Sequence, residues 1–423
     1  MPGGRVPTDA LRRPGPWLAA TAAASVATLA AVTATGDWGQ LPHYGAVLVG
    51  LVLLSAGALT AWFGYRENTP LVATWLAAFA MYVVQIAVGG LVQLADGASW
   101  ASTVHIVLGG IAMVLAVTAT VQTIAGPRRS GAPSLGLERW RDYITLTKPR
   151  IMSLLLLTAV GGMFVGARGL PDLTVLLAMV GGLALACGGA SALNHVLDRD
   201  IDVHMSRTDK RPVATGRIDP SSALEFGLAL SAFSFVVLAS FTNILTATLA
   251  IFGNLFYVLV YTRWLKRSTP QNIVIGGAAG AVPPVVGYAA ATGNLALPAL
   301  FLFLIVFVWT PPHFWALALL IKREYAAAGV PMLPVVRGDS ETARSIVKYS
   351  VAMVLVTLLP VLTGTLQWLY LAASLVLGGA FLWLAVRLLE QLTRERSKRL
   401  FTFSLAYLAL LFVAMAIDPI VLA

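Results

Sequence analysis

Apolar runs of membrane-spanning length alternate with short polar segments along the whole 423-residue chain. A run of about 20 apolar residues crosses the hydrocarbon core of a bilayer as a helix. By that measure the pattern predicts spans at 17–35, 43–65, 71–94 and 103–125. Nine more follow at 151–168, 174–194, 221–240, 244–262, 273–291, 298–320, 345–364, 367–387 and 399–420. The stretch 126–149, rich in Gly, Pro, Ser and Arg, parts the first four spans from the last nine. The expected fold is therefore all-α and polytopic, with about 13 transmembrane helices. A four-helix membrane domain would occupy residues 1–126, a cytoplasmic linker 127–149 and a nine-helix bundle 150–423. Residues 1–16 have the polarity of a signal-peptide start, but no small-x-small cleavage site follows, so the first run is expected to stay as a helix.

Composition supports the membrane assignment. The chain is 58% hydrophobic and only 11% charged, where a soluble domain carries about a quarter charged residues. The net charge of +10 would suggest nucleic acid in a soluble protein. Here the placement of the charge excludes that reading. With the N-terminus in the cytoplasm, every one of the 29 Lys and Arg residues except Arg168 falls on a cytoplasmic segment, as the positive-inside rule requires. The C-terminus is then outside. Arg-over-Lys usage with abundant Ala resembles a GC-rich bacterial genome and so points to a cell membrane. The single cysteine, Cys187, excludes an intrachain disulfide and any cysteine metal cluster. No acid lies near the centre of a predicted span, which argues against an ion-coupled transporter.

The chemistry gathers at cytoplasmic ends. Asn194, Asp198 and Asp202 are spaced i, i+4, i+8, so a continuous helix would put them on one face, with Asp200 pointing elsewhere. Arg199, Arg207, Lys210 and Arg211 are interleaved with them or follow closely. Stacked carboxylates with an amide suit Mg²⁺, a hard cation commonly shared with substrate phosphates. The neighbouring cations suit the phosphate oxygens. The bland alternative is a charged loop of solvated ion pairs. Further on, Tyr261 to Asn272 holds Arg263, Lys266 and Arg267 beside hydroxyls, suited to a diphosphate or simply to anchoring. Gly276-Gly277 opens the next span and allows close packing. Trp309-Thr310-Pro311-Pro312-His313-Phe314-Trp315 sets an imidazole beside a double proline expected to disturb its helix. His313 is either a substrate or heme contact or a packed histidine with one hydrogen bond.

These motifs, in order, resemble the heme O synthase (protoheme IX farnesyltransferase) branch of the intramembrane aromatic prenyltransferases. The matching runs are Thr147-Lys148-Pro149-Arg150, the Asn194–Asp202 motif, Tyr261–Asn272 with Gly276-Gly277, Pro312-His313-Phe314-Trp315, Glu324-Tyr325 and Ala328–Val336. They cover about 140–421. The resemblance implies a nine-helix bundle open to lipid. It also implies Mg²⁺-dependent transfer of farnesyl from farnesyl diphosphate to a vinyl group of heme B, with water added, giving heme O. It maps Asn194, Asp198 and Asp202 to the metal-diphosphate motif. Arg207, Lys210, Arg211 and Lys266 map to diphosphate contacts. Tyr261, His313, Glu324 and Tyr325 fall among the substrate-binding residues. The superfamily's second acidic motif is represented by Glu324, with Ala328 rather than an acid four residues on.

In the first four spans, His43 and His105 each begin a helix at the outer face, at the same depth. A pair of imidazoles across a four-helix bundle is a bis-His heme b site, or else two interfacial histidines. The stretches Val84–Gly90 and His105–Gly110 resemble one half of heme A synthase, which makes that enzyme a candidate partner. Tyr44 stands where that family has Arg, and no Glu precedes Glu67, so the resemblance is to the half that holds cofactor. Two other readings stay open from sequence alone: prenyl transfer to a quinone precursor or other aromatic, and a membrane heme carrier or electron-transfer protein.

Overall fold

The computed structural model describes residues 16–34, 40–65, 69–94, 99–125 and 140–421. The expected cytoplasmic N-terminal segment 1–15 and positions 127–139 of the expected linker lie outside them. All regular structure among the described residues is helical. The chain divides into two compact units, residues 1–135 with 224–236 and residues 136–223 with 237–423.

The first unit is built on α1 (Pro16–Ala34), α2 (Gln40–Gly64), α3 (Thr69–Leu94) and α4 (Ser99–Ala125). Each helix packs on its chain neighbours and α1 closes against α4, so α2 and α4 stand across the diagonal. Glycine spacing fixes the α2–α3 contact. Gly57 and Gly50 lie seven residues apart on α2 and receive Trp75 and Tyr82, also seven apart on α3. A helix returns to nearly the same face after seven residues, so the two pairs interlock in one register. The polar atoms of both side chains find partners. Trp75 Nε1 donates to Thr123 Oγ1 at 3.3 Å and the Tyr82 hydroxyl to the Val47 carbonyl at 3.2 Å.

The second unit begins with α5 (Trp140–Thr147), which lies inside the expected linker. It forms because one side is apolar: Leu146 is fully buried, and its carbonyl accepts from Ser191 Oγ at 2.6 Å. Then follow α6 (Pro149–Ala167), α7 (Leu173–Leu197), the single turn α8 (Arg199–Asp202), α9 (Pro220–Phe241), of which residues 224–236 belong to the first unit, and α10 (Ile244–Leu255). α10 runs on into a π-helical stretch, Phe256–Leu265, and a last turn, α11 (Lys266–Ser268). The chain ends with α12 (Asn272–Thr292), α13 (Leu297–Leu320), α14 (Lys322–Ala327), α15 (Leu333–Leu362), α16 (Trp368–Glu390) and α17 (Arg394–Val421). Starts are capped where the sequence offers an acceptor: Asp172, Asp219 and Asn243 accept from Val175, Ser221 and Thr246 amides at 2.9 Å.

Twelve helices among the described residues are long and apolar enough to cross a membrane, and α1, of 19 residues, covers the first predicted span. α15 is broken at Gly338 (φ 81°, ψ 172°), a backbone conformation open to glycine, so its spanning part starts beyond that point, near the predicted 345. The double prolines do not break their helices: α12 passes through Pro283-Pro284 and α13 through Pro311-Pro312. Proline's φ is itself helical; the cost is the missing amide, which leaves carbonyls such as Phe307 and Val308 without their intrahelical donors.

Small residues set the centre of the second unit. α6 and α12 cross where a Cβ at Gly287 would overlap the Ala159 carbonyl, and one at Gly162 the Pro284 carbonyl. Around this crossing α13, α15, α16 and α17 pack in turn, and α17 returns onto α6. Polar ties hold the outer ring. Asp418 on α17 accepts from the Gln367 and Tyr370 amides at the start of α16, at 2.7 and 3.0 Å. The Tyr370 hydroxyl donates to the Thr357 carbonyl at 2.8 Å.

Candidate active site

The site forms at one end of the second unit, where α7 stops. A continuous helix would run on through Asp202, but α7 ends at Leu197 and Asp198 is non-helical (φ −93°, ψ 2°). The last carbonyls are taken by arginines: Arg267 donates to Leu197 O at 2.7 Å and Arg199 to Val196 O at 3.2 Å. The one-turn spacing survives the break. The Asp198 amide bonds the Asn194 carbonyl at 2.9 Å, and the Asp202 amide the Asp198 carbonyl at 2.8 Å. Asn194, Asp198 and Asp202 therefore still come together, only 3%, 1% and 2% exposed. Carboxylates so far from water must be compensated.

Cations compensate them. Lys266 Nζ lies 2.6 Å from Asp198 Oδ2, which also accepts from Asn194 Nδ2 at 2.8 Å. Arg211 NH1 lies 2.8 Å from both oxygens of Asp202. Lys148 Nζ donates to Asn194 Oδ1 at 2.7 Å, and Asn194 Nδ2 also reaches Thr262 Oγ1 at 3.2 Å. Lys148 sits in the left-handed region (φ 50°) immediately before α6, a strained position for a side-chain-bearing residue. Burial, reinforced by Arg211 and Lys266, pushes its pKa well below the usual lysine value. Asp198 Oδ1 is buried without a hydrogen bond, Arg267 being 3.9 Å away. Asp200 points outward, as expected, and is held by Arg267 at 2.7 Å through both oxygens. That hydrogen bond draws its pKa down to about 2.

An apolar wall stands beside the charges. Tyr261 and Phe314 pack against buried Ile201, Met205, Ile273 and Tyr325. Tyr261 stacks on Tyr257 at 5.6 Å, and Gly276 leaves room for its ring. The π-helical stretch carries Tyr261 and Thr262 and ends at Lys266; such stretches cluster at functional sites. Burial raises the pKa of Tyr325, and the charge of nearby Arg207 opposes the rise. Glu324 Oε2 is buried without a partner. Lys210 is exposed, and its carbonyl accepts from Arg217 at 3.0 Å. His313 is not in direct contact with the acidic cluster; its ring lies between Trp309 and Phe401.

Lys148 and Thr262 lie within the runs that carry the resemblance, and Arg267 is one of the loop cations suited to a diphosphate or to anchoring, but their contacts with Asn194, Leu197 and Asp200 form only when the helices pack. His195, beside Asn194, is buried with both ring nitrogens unpartnered. A metal cluster of three or more His, Cys, Asp or Glu is not present among the described residues, since the third member here is an amide.

In the first unit, His105 Nδ1 lies 3.0 Å from the Gln85 carbonyl, and Gly89 gives its ring space against α3. His43 lies close enough to His105 to interact with it electrostatically.

A family model described as the UbiA prenyltransferase family matches residues 155–412. A protoheme IX farnesyltransferase of Roseiflexus castenholzii is 43% identical over 418 residues, covering 92% of this chain and 77% of its own. A protoheme IX farnesyltransferase of Gloeobacter violaceus is 53% identical over 285 residues, 66% of this chain and 92% of its own. Among solved structures, a digeranylgeranylglyceryl phosphate synthase with 19% identity matches at a TM-score of 0.58, over 68% of this chain and 100% of its own. That last likeness is one of fold.

Proposed function

The chain belongs to the UbiA prenyltransferase family, and from that premise we propose that it transfers a farnesyl group from farnesyl diphosphate to a vinyl group of heme B, giving heme O. The observation that carries the reading is the buried lattice of Asn194, Asp198 and Asp202 with Lys148, Lys266 and Arg211. Such a set is costly to bury unless it serves a charged ligand. Its unpartnered oxygen, Asp198 Oδ1, suits a divalent cation. Asp198, Asp202 and the side-chain oxygen Oδ1 of Asn194 would hold Mg²⁺. When bound, Mg²⁺ neutralises diphosphate charge and stabilises the charge that builds on the leaving oxygen.

The protein's own groups do the rest. Lys148, Lys266 and Arg211 are poised to exchange their internal acceptors for phosphate oxygens. An arriving anion favours the charged form of Lys148, which burial disfavours. Arg207 is exposed near Tyr325. Lys210 completes the basic rim. Tyr261, Tyr325 and Phe314 form a wall on which an allylic chain lies, shielded from water. His313 faces the acceptor. Glu324 takes the place of the second acidic motif. The site works on the cytoplasmic side of a bacterial cell membrane.

The first unit fits heme b. A metal-binding histidine commonly donates its other ring N–H to a carbonyl, and the Gln85 carbonyl occupies that role for His105. α2 and α4, which bring His43 and His105, stand across the bundle diagonal. A heme held there makes heme A synthase the natural recipient of the product.

Purified protein given Mg²⁺, farnesyl diphosphate and heme B should yield heme O by mass, and no product without Mg²⁺. Prenylation of a quinone precursor but not of heme would select the other acceptor class. Heme binding with no prenyl transfer to any acceptor would make the chain a carrier.

A further inference from the structure

The surroundings of His313 determine which of its nitrogens can act. Its Nδ1 lies 2.6 Å from Ser404 Oγ on α17. The Ser404 hydroxyl has one proton, and that proton goes to the Phe401 carbonyl at 2.6 Å. Toward His313 the hydroxyl oxygen can therefore only accept, and the imidazole must carry its proton on Nδ1. The lone pair is then on Nε2.

The ring has no other chemistry left. One face is covered by Trp309 (4.3 Å between centroids, 14° between planes) and the other by Phe401 (5.0 Å, 25°). Phe314 meets it edge-on at 6.2 Å. The same serine anchors the stack, since its carbonyl accepts from Trp309 Nε1 at 3.0 Å. Ser404 itself is fully buried, while the imidazole is only part-buried. With both faces and Nδ1 engaged, the ring can act only through its Nε2 edge, as an in-plane donor. An axial ligand to a porphyrin iron needs that presentation.

We propose that Ser404 is a positioning residue that fixes His313 as the Nδ1–H tautomer and so commits Nε2 to the iron of the heme acceptor. This rests on the reading of heme B as the substrate. The arrangement has the logic of an outer-shell acceptor that orients a metal-binding histidine and raises its basicity.

The test uses the full chain carrying His43→Ala and His105→Ala, so that any heme in the first unit does not contribute. Ferrous heme B is added, and its iron–histidine stretching band is recorded by resonance Raman together with the binding isotherm. The expected result is a histidine-ligated heme that His313→Ala abolishes. Ser404→Ala should lower the stretching frequency, because Nδ1 loses its acceptor, and weaken binding about fivefold. Ser404→Thr should restore both. Ser404→Cys, a weaker acceptor of similar shape, should move the band the same way as Ala. If no histidine-ligated heme forms while His313 is intact, heme at this site is wrong and the inference falls with it. If the heme is ligated by His313 but Ser404→Ala leaves the band in place, the role of Ser404 alone is overturned. A shift in the Ala variant that Thr fails to reverse would assign the effect to packing and overturn it equally.

Discussion

Asp198 is the residue on which the site turns. It joins Asn194, Lys266 and the open Oδ1 edge, all out of water. Asp198→Ala or Asp202→Ala should abolish prenyl transfer, measured as heme O formed, in protein that still purifies as a folded species. Lys148→Ala should cost roughly a hundredfold in turnover, the scale for removing a preorganised charge from a reacting oxyanion. Near-normal rates in that variant would remove Lys148 from the site. Asp200→Ala should do less harm, since Asp200 faces outward to Arg267. Its pH behaviour follows from its depressed value, about 2 against an ordinary 3.8. A carboxylate that is more acidic when folded adds stability above its ordinary value and loses it as pH falls toward 2. The pair is largely exposed, so the effect is below about 1 kcal/mol. Melting curves of the wild type and Asp200→Asn should differ by a small constant amount from pH 5 to 8 and converge near pH 2.

At the scale of elements, the second unit depends on helices that approach closely. Gly287→Val would drive side-chain atoms into the Ala159 carbonyl, and the α6–α12 crossing cannot relax while both backbones are packed. That variant should fail to accumulate as folded protein. Gly181→Ala on α7 has open space around its new Cβ and should behave as wild type in the same size-exclusion assay. The crossing also bears on chemistry, because α6 begins at Lys148 and α12 begins beside Lys266 and Tyr261. The end of α7 is a second element-level device. Had the helix run on, the Arg267 contact with the Leu197 carbonyl would meet an amide already there.

The chain forms two compact units, and the first carries a prediction of its own. A heme held by His43 and His105 should give the full chain a low-spin spectrum before any substrate heme is added. Either single alanine substitution should convert or erase that spectrum, since two nitrogens are needed to keep both axial positions filled. An unchanged spectrum in either variant would return the pair to a structural role.

The positions of the spanning helices are legible in the order of apolar residues alone. A span is fixed by its own composition: twenty apolar residues must leave water, and their amides must be satisfied internally, whatever the neighbours do. The sequence also placed Asn194, Asp198 and Asp202 together, because one-turn spacing brings them close even where the helix stops. It missed what depends on distant parts of the chain. Lys148 reaches Asn194 from 46 residues upstream and Thr262 from 68 downstream, contacts that no local spacing encodes. The end of α7 at Leu197 is decided by arginine caps, the outer pairing of Asp200 by Arg267, and the tautomer of His313 by a serine on the last helix. Helicity in a membrane is a local property of the chain. Partners, tautomers and helix ends are settled by which groups meet when the helices pack, and only the tertiary structure holds that.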